Sequence, residues 1–174
     1  MEKNEKEILD ALNSWGISFQ YKEHEPLFSM DNYAEIEKEM DVLIPKNLFL
    51  NNQQHNRFYL LVMPGEKRFK TKELSKQIHS ARLSFASDET LAEDLHCFKG
   101  STSVLGLFFD EENKVQLLID EDLLKEKYLG FHPCMNTMTI KIERADLFHK
   151  FLPMVHHEPI IVKLNGNKEE GTTC

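Results

Sequence analysis

Leu48-Phe49-Leu50, then Asn51-Asn52-Gln53-Gln54-His55-Asn56-Arg57, then Phe58-Tyr59-Leu60-Leu61-Val62-Met63 run on without a break. Two short apolar runs flank a polar loop, the pattern of two strands joined directly. Residues 104–109 and 115–119 repeat it around Asp110-Glu111-Glu112-Asn113, which predicts a second hairpin. Strands that pair as hairpins do without helical crossovers. The expected fold is therefore mixed α/β: a single domain with a central mixed sheet surrounded by helices.

Working outward, Ile8, Leu9, Leu12 and Trp15 fall at helical spacing and Gly16 ends the run. Residues 17–21 read as a strand, and Asp31 as the cap of a helix reaching Met40. Thr71, Leu74 and Ile78 predict another helix. Ser87-Asp88-Glu89 opens one that runs through His96. A short helix from Asp120, a strand over 137–142, a helix over 145–152 and a strand over 160–164 complete the pattern. Residues 1–164 are expected to form the domain, and residues 165–174, polar and Gly-containing, a frayed tail.

A chain of 174 residues with 41% hydrophobic and 29% charged residues can bury one sizeable core. No apolar run approaches the roughly 20 residues of a membrane helix. The charged N-terminus has no signal-peptide core, so a cytoplasmic protein with no membrane partner is expected. Cys97, Cys134 and Cys174 form no C-x-x-C pair, which argues against a disulfide framework or a thiolate zinc site. A net charge of −8 argues against broad nucleic-acid binding, DNA included. Yet Lys67, Arg68, Lys70, Lys72 and Lys76 face only Glu73, and Arg82 follows. That stretch is either a solvated helix face or a phosphate-contacting one.

Four segments carry more than packing requires. Lys46-Asn47 follows Pro45 at the mouth of an apolar strand, where a lysine can hold a phosphate or polarise a carbonyl. Gly100-Ser101-Thr102-Ser103 lets successive amides converge on an anion, and it has no Lys-Ser/Thr ending to make it a nucleotide P-loop. Phe131-His132-Pro133-Cys134-Met135-Asn136-Thr137-Met138-Thr139 sets a histidine and an amide against a strand. His132 reads as a base, a donor, a ligand or a neutral structural histidine. Cys134 has no local base to activate it as a nucleophile. In His156-His157-Glu158-Pro159, adjacent side chains point apart, which suits shared metal chelation poorly.

Taken in order, Lys46-Asn47-Leu48-Phe49-Leu50, Leu83-Ser84-Phe85-Ala86-Ser87, Gly-Ser-x-Ser-x-x-Gly-Leu at residues 100–107, Phe-His-Pro-x-x-Asn-Thr-x-Thr at 131–139 and His157-Glu158-Pro159 resemble the YbaK/ProX family of prolyl-tRNA-synthetase-associated editing domains. Upstream, Glu23-His24-Glu25-Pro26-Leu27-Phe28-Ser29 is similar to the family's His-Pro-Pro-Val-Phe-Thr segment. The resemblance spans residues 5–164. At the fifth position of the Gly100 loop the family has proline; this chain has Val104, and Leu105 replaces the following Phe.

The resemblance implies a free-standing deacylase that hydrolyses a mischarged aminoacyl-tRNA, most similar to the branch acting on Ala-tRNA(Pro). Relatives that clear Cys-tRNA(Pro) or another small amino acid, and a non-catalytic module that captures tRNA ends or amino acids, are the alternatives. By motif position, Lys46, Gly100 and His132 are the implied catalytic residues. Asn47, Ser101, Thr102, Ser103 and Asn136 are implied substrate contacts, with Phe28 and Met30 as a size-selecting wall; Phe49 is weighed for the wall and for the core. Arg82, Lys67, Arg68 and Lys70 are the implied tRNA contacts. The expected partners are the acceptor end of aminoacylated tRNA(Pro) and prolyl-tRNA synthetase, with no cofactor and no metal. The proton is carried either by His132 or by the tRNA's own ribose hydroxyl.

Overall fold

The computed structural model describes residues 3–166. All but two residues of the expected tail therefore lie outside the described residues. Helix α1 (Lys3–Ser14) buries Ile8, Leu9 and Leu12, and strand β1 (Phe19–Glu23) follows. Ser29 caps α2 (Met30–Met40) by accepting the Asn32 N–H, so the cap lies two residues before the expected Asp31. β2 (Lys46–Asn52) and β3 (Phe58–Met63) form the expected hairpin, with Lys46 opposite Met63. α3 (Thr71–Gln77), β4 (Leu83–Phe85) and α4 (Asp88–Leu95) come next. After a 3-10 helix at Val104–Phe109 come β5 (Val115–Asp120) and a 3-10 turn at Glu121–Lys125. β6 (Tyr128–Phe131) and β7 (Met138–Glu143) precede a last helix, α5, in three pieces: Arg144–Asp146, a π turn at Leu147–Phe151, and Leu152–Met154. β8 (Ile160–Val162) closes the order.

The fold is mixed α/β, but its strands divide between two sheets. One is antiparallel, in the order β1-β7-β6; the other is mixed, in the order β4-β2-β3-β5-β8. A bridge between Leu43 and Leu129 joins the chain before β2 to β6, with the Gly130 N–H donating to the Leu43 carbonyl at 2.8 Å. β3 alternates between two cores. Leu60 and Val62 pack with Ile8, Leu12, Leu117, Phe131 and Phe151. Tyr59, Leu61 and Met63 pack on the other face with Leu50, Leu74 and Leu118. A third, smaller group, Leu27, Ile36 and Ile44, sits under α2.

The second hairpin is a correction. Residues 104–109 are helical, and β5 pairs parallel with β3 and β8 instead. Ser103 Oγ accepts the Leu105 N–H and starts the helix. Gly106 lies so close to α4 that a Cβ there would meet the Leu95 carbonyl at 2.7 Å. Asp110 marks a turn as expected, accepting the Lys114 and Val115 amides at 3.0 and 2.9 Å, but the turn connects a helix to a strand.

Candidate active site

The ends of β2 and β6, the face of α2 and the loop after α4 meet around a cavity of about 470 Å³, within the usual range for a small-molecule site. Met30, Tyr33, Ala34 and Glu37 line it, one helical face at i, i+3, i+4 and i+7. Lys46 and Asn47 contribute from β2, Gly65 and Glu66 from the turn after β3, Gly100 and Thr102 from the loop, and Gly130, Phe131 and His132 from β6 and its exit.

Lys46 is aimed from behind. The register that sets it opposite Met63 brings the turn at Pro64–Lys67 alongside, and the Lys46 ammonium donates to the Lys67 carbonyl. Burial lowers its pKa. The Lys67 side chain points the other way, only 7% exposed. Its ammonium donates to Asp120 Oδ2 and Asp122 Oδ2, each at 2.8 Å, and to the Leu164 carbonyl at 2.6 Å. Burial pulls its pKa down, but the two carboxylates outweigh that and leave it raised. Expected as a tRNA contact, the Lys67 ammonium is instead turned inward and committed to these internal acceptors. Arg82 is exposed, as is Arg68, and Lys70 is half-buried.

His132 is 6% exposed. Its Nδ1 lies 2.9 Å from the Met138 carbonyl, which can only accept, so Nδ1 carries the proton and Nε2 the lone pair. The Tyr33 hydroxyl stands 3.4 Å from Nε2. His24 is tied into the same network, with Nε2 2.8 Å from Thr139 Oγ1. Burial lowers the His132 pKa to about 4, outweighing the Met138 hydrogen bond, which raises it. At neutral pH it is an imidazole acceptor and a feeble base.

Gly100 has φ +92°, a conformation that side chains rarely adopt. The Ser101 N–H is spent on the Phe98 carbonyl and the Val104 N–H on Asn47 Oδ1, at 2.8 and 2.9 Å. The amides of Gly100, Thr102 and Ser103 have no internal acceptor among the described residues. Gly100 and Thr102 also line the cavity, so theirs are the candidate oxyanion donors.

Several expected substrate contacts turn out to hold the site together. Asn47 pins the loop through the N–H that Val104 adds where a proline would have none. Asn136 clamps Leu27 at both backbone groups, Leu27 N–H to Oδ1 at 3.2 Å and Nδ2 to the Leu27 carbonyl at 3.0 Å. The Ser101 hydroxyl bonds within its own turn, and Ser103 caps the 3-10 helix. Phe28 and Met30 line the cavity yet are 84% and 72% exposed, so they form its lip. Phe49 is core, stacked on Phe58.

Cys134 is a buried thiol, its Sγ 3.1 Å from that of Cys97. The Cys97 contact and burial hold its pKa well above the usual thiol range, which suits no nucleophile. His157 lies elsewhere, bridging the Val155 carbonyl and Asp110. Burial pushes the Asp110 carboxyl up, but His157 and the Val115 and Lys114 amides hold it below its ordinary value. Among the described residues no group of three or more His, Cys, Asp or Glu could hold a metal ion, and no helix is long and apolar enough to cross a membrane. Tyr33 and Glu37 were missed from the sequence. Their i, i+4 spacing on α2 is the only signal that could have paired them.

Residues 24–149 match the family model described as "Aminoacyl-tRNA editing domain". The chain belongs to the YbaK/ProX family of aminoacyl-tRNA editing domains. It is 30% identical over 160 residues to the prolyl-tRNA editing protein ProX of Acetoanaerobium sticklandii, covering 92% of this chain and 91% of that one. To prolyl-tRNA synthetase associated domain-containing protein 1 of Danio rerio it is 27% identical over 162 residues, covering 92% and 87%. A crystal structure of a candidate trans-editing enzyme for prolyl-tRNA synthetase superposes with a TM-score of 0.68 at 15% identity, covering 95% of this chain and 99% of that one, a likeness of fold. YbaK/ProX-like segments far apart in sequence, around Phe28, Lys46, Gly100 and His132, meet at the cavity.

Proposed function

We propose that the protein is a trans-editing deacylase that hydrolyses Ala-tRNA(Pro). The observation that carries the reading is the meeting of Lys46, Gly100 and His132, from three separate motifs, around one cavity sized for a small ligand. The relative named as a prolyl-tRNA editing protein supports the tRNA.

Water attacks the ester carbonyl carbon, the carbonyl oxygen takes up the negative charge, and the amides of Gly100 and Thr102 receive it. The ester C–O bond then breaks, releasing alanine and a tRNA whose terminal oxygen takes the proton that water gave up. A histidine with a pKa near 4 favours the neighbouring ribose hydroxyl as the carrier of that proton. His132 then orients the substrate or the water through Nε2, while Lys46 holds the terminal phosphate or the ester end. Selection on this reading is by size, with the alanyl methyl accepted and the prolyl ring excluded. Steric rejection of this kind can exceed the 1–3 kcal/mol that about one methylene contributes in attraction. Arg82 meets the acceptor stem, and the reaction belongs in the cytoplasm beside prolyl-tRNA synthetase.

The test is a deacylation panel of Ala-, Cys-, Ser- and Pro-tRNA(Pro). Turnover of Ala-tRNA(Pro) with Pro-tRNA(Pro) spared is the expected result. Preference for Cys-tRNA(Pro) reassigns the substrate, and binding without turnover of any replaces the enzyme with a capture module.

A further inference from the structure

Glu37 is a half-buried carboxylate on the cavity wall, one helical turn along α2 from Tyr33. One of its oxygens, Oε2, accepts the Ile44 N–H at 2.8 Å. It forms no salt bridge among the described residues. Lys46, the cation of the same cavity, owes its lowered pKa to burial alone, with no contribution from Glu37. Glu37 and Lys46 thus share the lining without pairing, Glu66 being a second, exposed carboxylate there, and anchoring a single backbone amide does not call for a full charge.

Tyr33 and His132 share the lining with Glu37; because Nδ1–H is committed to Met138, His132 Nε2 can only accept, and the Tyr33 hydroxyl 3.4 Å away donates to it, which leaves the Tyr33 oxygen to accept. A carboxylate and a phenol oxygen left to accept on one lining make a place for a donor cation small enough to enter the cavity. An aminoacyl ester carries one such group, the α-ammonium, next to the carbonyl that must face the Gly100 loop.

We propose that Glu37 binds the α-ammonium group of the aminoacyl ester, with the Tyr33 oxygen, oriented by His132, as a second acceptor. The proposal rests on the deacylase reading and deepens it. Glu37 makes the pocket specific for esters of free amino acids, and fixes which substituent of the α-carbon points toward Met30 and Ala34.

The probe is 3′-alanylamino-3′-deoxyadenosine, an amide that is not hydrolysed, compared with its 3′-propionylamino counterpart, which lacks the ammonium and adds no bulk. Binding of both is measured by calorimetry to the wild-type protein and to Glu37→Gln, which keeps an oxygen for the Ile44 N–H. The wild type is expected to prefer the alanyl compound about tenfold to a hundredfold, the worth of a charge-assisted hydrogen bond. In the variant that preference is expected to vanish. Equal affinities in the wild type, a preference that survives Glu37→Gln, an equal loss for both compounds, or binding of neither compound each overturn the proposal. Wild-type turnover of Ala-tRNA(Pro), read separately, decides whether the deacylase reading stands when the proposal falls.

Discussion

The backbone carbonyl of Lys67 receives the Lys46 ammonium, while the Lys67 side chain is buried against Asp120 and Asp122 on the far side of the same turn. One lysine thereby positions another. The buried ion pair fixes the turn, and the turn fixes where the cation of the cavity stands.

Lys67→Met leaves the fully buried Asp120 with its counter-charge removed, and breaking such a pair costs about 3–5 kcal/mol. A lower urea midpoint is expected at an unchanged salt dependence of tRNA binding. A wild-type midpoint with a flattened salt slope would return Lys67 to the tRNA interface.

Arg82 carries the opposite expectation. It is exposed beside β4, so Arg82→Ala should leave stability within about 0.5 kcal/mol. It should weaken tRNA binding and reduce the slope of log K against log salt by about one. An unaltered slope removes it from the interface.

His132 makes a pH signature. Its folded pKa, about 4, lies below the ordinary 6.5. Between those values the unfolded chain takes up a proton that the folded one refuses. The neutral imidazole's contribution to stability is therefore full above pH 6.5 and lost as pH falls toward 4, about 3 kcal/mol in all. His132→Gln should flatten that acid limb in urea melts taken from pH 7 to pH 4. It should also leave kcat/KM without an inflection near pH 6.5, since wild-type His132 does not titrate there. An inflection near 6.5 that disappears in the variant would make His132 the general base.

Asn47 and Val104 should be coupled. Val104→Pro removes the N–H that Asn47 Oδ1 accepts at 2.9 Å, and Ser103, at φ −152° and ψ 144°, is already extended enough to precede a proline. A double-mutant cycle with Asn47→Ala should give about 0.5–1.5 kcal/mol of interaction. Strict additivity would mean that Asn47 does not pin the loop.

Local signals in the sequence carried far. Ile8, Leu9 and Leu12 gave α1, Ser87 gave the α4 cap, and the short apolar run over 58–63 beside its polar loop gave the strand at the centre of the larger sheet. Residues 104–109 misled because a fully buried apolar run has no period to distinguish strand from helix. What settles it is the close approach of Gly106 to Leu95, which is tertiary. β4 and β6 are three and four residues long, too short to stand out. For the site, motif order singled out Lys46, Gly100 and His132. It could not tell a lysine facing the cavity from one facing inward, so Lys67 was read with its neighbours. It also could not separate side chains that only line the cavity from Asn136, Ser101 and Ser103, which brace it from behind, or from Asn47, which does both.

The most direct measurement is single-turnover hydrolysis of Ala-tRNA(Pro) and Pro-tRNA(Pro) by the wild type and by Lys46→Ala, with circular dichroism confirming that the variant is folded. Rapid release of alanine by the wild type, retention of proline, and a loss of about 10²–10³-fold in Lys46→Ala are expected, the size of losing one preorganised electrostatic contact. Equal rates for the two proteins, or equal hydrolysis of both substrates, would contradict a size-selecting deacylase built on this cavity.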